Sequence, residues 1–243
     1  ISAAVLVTPI KPNIWDFAIL PEQLPKGIYS VTNEISPDQA TDLSLAWSLS
    51  SYYFNEYKTI TDEPRPAELI WPKSCRRDEV TRITEAICLV RDLINTPAID
   101  MGPGHLALAA KNLCRRHNAE IAVTEGDDLL KANFPAIHAV GKANDRAPCL
   151  IDINWGHPHA PKVTLVGKGV CFDTGGLNIK PTSGMKFMKK DMGGAAHVLG
   201  AAHAIMSAEL SLRLRVLIPA VENSIAGNAM RPGDVVHTRK GLT

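Results

Sequence analysis

No run of about 18 consecutive apolar residues occurs in the 243-residue sequence, so no membrane-spanning helix is expected. A paired-cysteine framework is missing too. The five cysteines, at 75, 88, 114, 149 and 171, are odd in number, widely spaced and contain no C-x-x-C. That pattern disfavours a disulfide scaffold or a Cys-type zinc site and points to a reducing, cytoplasmic compartment. An excess of one charge is also lacking. Lys plus Arg number 26 and Asp plus Glu 25, a net charge of +1, which leaves no electrostatic footprint for nucleic acid or an anionic membrane. Residues 1–8 form an apolar, strand-like run without a basic leader or a small-residue cleavage site, so they do not read as a signal peptide. There is no initiating Met, and Lys240-Gly241-Leu242-Thr243 stops in mid-strand by pattern. Both ends are therefore expected to be those of a fragment.

What is present suits a folded α/β chain. The 45% apolar content can build one sizeable domain and a smaller one. Residues 1–75 read as a small N-terminal α/β domain. Ser36-Pro37-Asp38-Gln39 is a helix start, with Ser36 as cap, Pro37 at the first position and Gln39 completing a capping box. Ala40, Leu43, Trp47 and Ser50 then share one face, widened by Leu45 and Leu49. Glu63-Pro64-Arg65-Pro66, up to Trp71-Pro72, reads as a boundary. Residues 76–97 read as a linker helix, because Val80, Ile83, Ile87, Val90 and Ile94 recur at helical steps and Asn95-Thr96-Pro97 ends them. Residues 98–243 alternate. Helices are expected at 103–117, 127–132 and 193–208, and apolar strands at 120–124, 148–154, 162–167 and 212–219. That order implies a mainly parallel sheet covered on both faces. No internal repeat or low-complexity tract appears.

Chemistry concentrates between 163 and 194. A buried strand at 163–166 runs into Gly167-Lys168-Gly169, and open α/β sheets bind ligands beyond the carboxyl ends of their strands. Glycines at 167, 169, 175, 176, 193 and 194 permit positive φ or close approach to a ligand. Four polar groups sit in this frame: Lys168, Asp173, Lys180 and Asp191. Three readings are open. In the first, the charges are solvated loop residues and salt bridges. In the second, the glycines cradle a phosphate, although G-x-x-x-x-G-K-[ST] is absent. Or the carboxylates bind divalent metal with a lysine as an unusual ligand, which requires burial and the metal's charge to lower the ammonium pKa.

The run Gly167-Lys168-Gly169, Phe172-Asp173-Thr174-Gly175-Gly176, Ile179-Lys180-Pro181 and Met188-Lys189-Lys190-Asp191-Met192-Gly193-Gly194-Ala195-Ala196 closely resembles the signature of the cytosol (leucyl) aminopeptidases, intervals included. Asn95-Thr96-Pro97-Ala98 and Arg231-Pro232-Gly233-Asp234-Val235-Val236 resemble the family as well. Residues 95–243 carry the likeness, and 1–94 match only in organisation. The resemblance implies an αβα-sandwich catalytic domain, incomplete here. It implies Lys168, Asp173 and Asp191 as metal ligands, Asp173 contacting both of two ions. Lys180 matches a catalytic lysine that is not a ligand, and Met188 a side chain lining the pocket for the substrate's first residue. The implied reaction is two-metal hydrolysis of peptides with a free N-terminus, Leu-like residues preferred, with zinc or manganese, or magnesium, as the ions. A homo-hexamer is implied too.

Two divalent ions bring +4 while Asp173 and Asp191 supply −2, and such sites use several carboxylates. The family resemblance places a further Asp and Glu, with an arginine that holds bicarbonate, in an N-T-D-A-E-G-R motif expected just past Thr243. If the protein ended there, no stable two-metal site and no peptidase activity would be expected. A non-catalytic or truncated relative with a structural or regulatory role is the alternative, and a nucleotide-phosphate binder the third reading. His157-Pro158-His159 reads as a surface loop. His197 and His203, six apart on a helix, read as packed or surface residues. His138 and His237 have no distinctive neighbours. Cys171 reads as a core residue, with no adjacent base to make it a nucleophile.

Overall fold

The computed structural model describes residues 3–10, 12–59 and 67–242 and divides into two units, Ile1–Cys88 and Leu89–Thr243. In the first, a 3-10 helix (Ile14–Phe17) leads into α1 (Leu20–Gln23), β1 (Ile28–Tyr29), α2 (Pro37–Ser50) and β2 (Glu68–Leu69), which pairs parallel with β1. The capping box of α2 forms as predicted. Ser36 Oγ accepts from the Gln39 N–H at 3.2 Å, and the Gln39 side chain accepts from the Ser36 N–H at 3.1 Å. Leu43, Ala46 and Trp47 pack with Phe17 and Ala67, and Trp47 Nε1 donates to the Ala67 carbonyl at 3.0 Å. Residues 3–8 form no strand. Val5 and Val7 stay exposed, and no neighbouring strand among the described residues takes up their backbone groups. Residues 1 and 2 and the Glu63-Pro64-Arg65-Pro66 segment lie outside the described residues.

The next helix, α3 (Arg77–Asn95), stops before Pro97 as expected. Val80 near its start is fully buried with Ala40 and Cys75. Toward its end Leu93 is buried in the core of the second unit, and Leu89, Val90 and Ile94 pack against that core.

That unit runs α4 (Pro103–His117), β3 (Glu120–Glu125), α5 (Asp128–Lys131), α6 (Pro135–Gly141), β4 (Cys149–Gly156), β5 (Lys162–Val166), β6 (Gly169–Asp173), α7 (Thr182–Met185), a 3-10 helix (Met188–Met192), α8 (Gly193–Ser207), β7 (Arg213–Asn223), β8 (His237–Thr238) and β9 (Gly241–Leu242). The α/β class stands, but the expected mainly parallel sheet is corrected to a mixed one. Its order is β3-β4-β7-β5, with β6 also on β7; β3–β4 and β4–β7 are antiparallel, β5–β7 and β6–β7 parallel. The cause is the short connection at residues 157–161. A parallel return needs a crossover of a dozen or more residues, so β5 must run opposite to β4. β7 alternates: Leu214, Val216, Ile218 and Ala220 are fully buried while Arg215, Leu217 and Pro219 are half-buried. The buried face packs with Leu106, Ala110 and Leu113 of α4 and with Ala195, Leu199 and Ala202 of α8. Strand β6 and helix α6 were not foreseen. No helix among the described residues is long and apolar enough to cross a membrane.

Candidate functional site

The chain leaves β5 through Gly167-Lys168 and re-enters the sheet as β6. Helix α8 closes on this corner. A Cβ on Gly167 would lie 2.5 Å from Val198 Cγ2, 2.7 Å from the Gly194 carbonyl oxygen and 2.8 Å from Ala195 Cα, so only glycine permits the approach. The Ala195 N–H donates to the Lys168 carbonyl at 2.9 Å. That bond uses a free N–H at the start of α8 and fixes the backbone from which the Lys168 side chain projects.

Four polar side chains singled out from the sequence form two ion pairs. Lys168 Nζ lies 2.8 Å from Asp191 Oδ1, to which it donates, and 2.7 Å from Oδ2. Asp191 belongs to the 3-10 helix that begins at the half-buried Met188. Its Oδ2 is buried and meets the Lys168 ammonium through that 2.7 Å contact. Lys180 Nζ lies 3.2 Å from Asp173 Oδ2 at the end of β6. Asp173 Oδ1 accepts from the Gly175 N–H at 2.9 Å and from Asn223 Nδ2 at 2.8 Å. Burial opposes the charge on Asp173. The Gly175 N–H, the Asn223 amide and Lys180 outweigh it and hold the carboxyl below its ordinary range. Gly175 reaches its donor position at φ 89°, and a Cβ there would meet the Asn178 carbonyl oxygen at 2.4 Å.

The structure thus joins Lys168 to Asp191 and Lys180 to Asp173. Among the described residues no three of His, Cys, Asp and Glu converge to hold a metal ion. The donor set fits a divalent cation in kind, with one carboxylate at the end of β6, a second in the 3-10 helix and a lysine nitrogen beside it. In number it falls short: two carboxylates do not neutralise a pair of such ions.

Sequence reading missed Asn223 and its neighbours. Glu222 accepts from Arg146 Nη1 at 3.0 Å and from Asn144 Nδ2 at 3.0 Å. Arg146 also donates to the carbonyls of Ala98 and Ile99, both at 2.7 Å. The strand-end rule that marks 167–173 applies equally to Glu222-Asn223 at the end of β7, and was the available signal. Another unforeseen contact joins His117 Nε2 to the buried His203 Nδ1 at 2.8 Å. His197 is exposed, with its Nδ1 at 2.7 Å from the Gly193 carbonyl oxygen. His157 and His159 lie in an exposed turn, and Cys171 is buried in the core.

Comparison with known proteins bears on this arrangement. Residues 88–243 match the family model described as the cytosol aminopeptidase family, catalytic domain, and residues 2–72 match the M17 aminopeptidase N-terminal domain. A probable cytosol aminopeptidase of Rhizobium meliloti (strain 1021) is 35% identical over 228 residues, covering 86% of this chain and 45% of the relative. The crystal structure of a cytosol aminopeptidase from Coxiella burnetii is 51% identical with a TM-score of 0.87, over 93% of this chain and 49% of that one. A structure of the bottromycin maturation enzyme BotP in complex with Mn is 30% identical with a TM-score of 0.82, over 95% of this chain and 52% of that one. A mixed sheet faced by helices is the α/β fold of the solved cytosol aminopeptidase. The chain belongs to the cytosol aminopeptidase family, and it spans about half the length of the curated relatives it matches.

Proposed function

We propose that this chain carries part of the active site of a metal-dependent aminopeptidase that removes N-terminal residues, Leu-like ones preferred, from peptides. The observation that carries the proposal is the pairing of Lys168 with Asp191 and of Lys180 with Asp173 at the strand ends, in a chain of this family. Lys168, Asp173 and Asp191 would hold two divalent ions. Manganese is the best-supported species, since BotP, a structural neighbour, is described in complex with Mn; zinc and magnesium are the other candidates. When bound, such ions supply Lewis acidity and a nucleophilic water at neutral pH.

The protein's own groups divide the remaining work. Lys168 Nζ must give up a proton before it can donate a lone pair, because an ammonium has none. Lys180 is half-buried beside Asp173 and would stabilise the oxyanion that develops on the scissile carbonyl. Met188 lines the pocket for the substrate's first side chain. The carboxylates still needed for charge balance belong to an N-T-D-A-E-G-R motif, which residues 1–243 do not contain. The bicarbonate-holding arginine belongs to the same motif. We further propose a homo-hexamer in the cytoplasm, a setting that suits the buried thiols of Cys75, Cys114, Cys149 and Cys171.

The test is hydrolysis of a leucine anilide by the full natural chain, with and without a chelator. Activity should vanish on chelation and return with Mn²⁺. Asp173→Ala should abolish it. Turnover that persists in that variant refutes the role of Asp173, and chelator-insensitive turnover refutes the metal.

A further inference from the structure

The sheet places a residue opposite Asp173 that does more than complete a ladder. β6 and β7 run parallel, and their register sets Asp173 against Asn223. The Asn223 backbone is pinned by Thr174, whose N–H and Oγ1 both donate to the Asn223 carbonyl, at 3.0 and 2.8 Å. One residue earlier, Glu222 is held by Arg146 and Asn144. The end of β7 is therefore anchored on both sides of the position that reaches the carboxylate.

From this anchor the Asn223 amide donates to Asp173 Oδ1 at 2.8 Å, beside the Gly175 N–H at 2.9 Å. A carboxylate oxygen offers two lone pairs, and both on Oδ1 are thereby occupied. Among the described residues Oδ2 keeps only Lys180 Nζ, at 3.2 Å. The amide cannot turn over, because its oxygen would then face the carboxylate.

We propose that Asn223 is a positioning residue of the site: it commits Oδ1 of Asp173 to the protein and so presents Oδ2 to the bound cation. The inference rests on the reading of Asp173 as a metal ligand. It explains why the position holds an amide. An aspartate of the same shape would set carboxylate against carboxylate at the present 2.8 Å separation, and an alanine would leave Oδ1 of Asp173 with the Gly175 N–H and Oδ2 with Lys180, without the donor from β7. Groups that orient a metal's ligands typically cost about 10- to 100-fold in metal affinity or activity when removed.

The experiment compares Asn223→Asp, Asn223→Ala and Asn223→Gln with wild type in the full natural chain. It uses Mn²⁺ titration calorimetry, melting of the metal-free protein, and the separate kcat and KM of a leucine anilide. Asn223→Asp should raise the Mn²⁺ Kd by about tenfold or more, and Asn223→Ala by a smaller factor. Asn223→Gln, which still carries a donor, should recover part of the loss. In all three kcat should fall with KM nearly unchanged; the metal-free melting temperature should stay close to wild type in Asn223→Ala and Asn223→Gln and fall in Asn223→Asp, where the two carboxylates repel. Wild-type Mn²⁺ affinity and kcat in Asn223→Asp overturn the proposal. So does a loss of metal affinity that follows melting temperature equally in all three variants, because that is the behaviour of a purely structural residue. A wild-type protein that takes up no Mn²⁺ overturns the underlying metal reading instead, which separates the two failures.

Discussion

Asp173 and Lys180 illustrate how little sequence distance says about chemical roles. Both belong to one glycine-rich stretch, yet among the described residues Asp173 is tied by three donors while Lys180 has its one charged contact through Asp173. Replacing Lys180 by Ala should lower kcat by about 10²- to 10³-fold, the usual effect of deleting an oxyanion donor, with metal content nearly intact by elemental analysis. A parallel loss of metal would make Lys180 a ligand or a structural residue. The buried thiols make a separate prediction. Burial pushes Cys149 up to about 12, aided by Glu125, and pushes Cys114 up to about 11. The folded state thus disfavours thiolate, while the unfolded chain ionises near its ordinary value of 9.0. The stabilising contribution is complete below that pH and is lost as pH rises from about 9 toward about 12. Chemical denaturation at pH 8 and pH 10 should show the drop, and native Cys149 should resist thiol reagents at pH 8.

At the scale of elements, two contacts can be tested independently of function. Ser36→Ala removes the side-chain half of the α2 capping box and should cost about 1 kcal/mol in urea unfolding; no change would mean that Pro37 and the remaining backbone suffice. Gly167→Ala forces a methyl group to within 2.5 Å of Val198 and should cost about 1–3 kcal/mol by overpacking. It should also disturb the Lys168–Asp191 pair, because Gly167 is what lets α8 seat against the strand end. Helices α2, α3, α4 and α8 were legible from capping, apolar spacing and breakers, since these signals are local. Strand β6 was not: it is five residues long, begins with glycine and carries a bulge between Val170 and Phe172, which breaks the alternation that marks a strand. The direction of the sheet's pairings was misread for a related reason. Apolar runs report burial, and only the length of the 157–161 connection reports direction.

For the molecule as a whole, the strand-end glycines and the four charged residues were recognisable because they sit in one continuous stretch. Their partners were hidden. Asn223 lies 50 residues from Asp173, and Arg146 lies 76 from Glu222, so neither contact leaves a local pattern. The proposed hexamer belongs to this scale. Sedimentation of the full natural chain should give six times the monomer mass, and a monomer at assay concentration would count against it.

The position of β7 has a consequence for how the protein is made. It is the strand on which β4, β5 and β6 all depend, and it is the last of the five to leave the ribosome. Until residues 213–223 emerge, three hydrophobic segments wait without their common template, a state prone to aggregation during synthesis. A chain ended by a stop codon at 213 should therefore lack cooperative unfolding in its second unit and accumulate in the insoluble fraction. Newly made protein should be released from chaperones only after that strand has been translated.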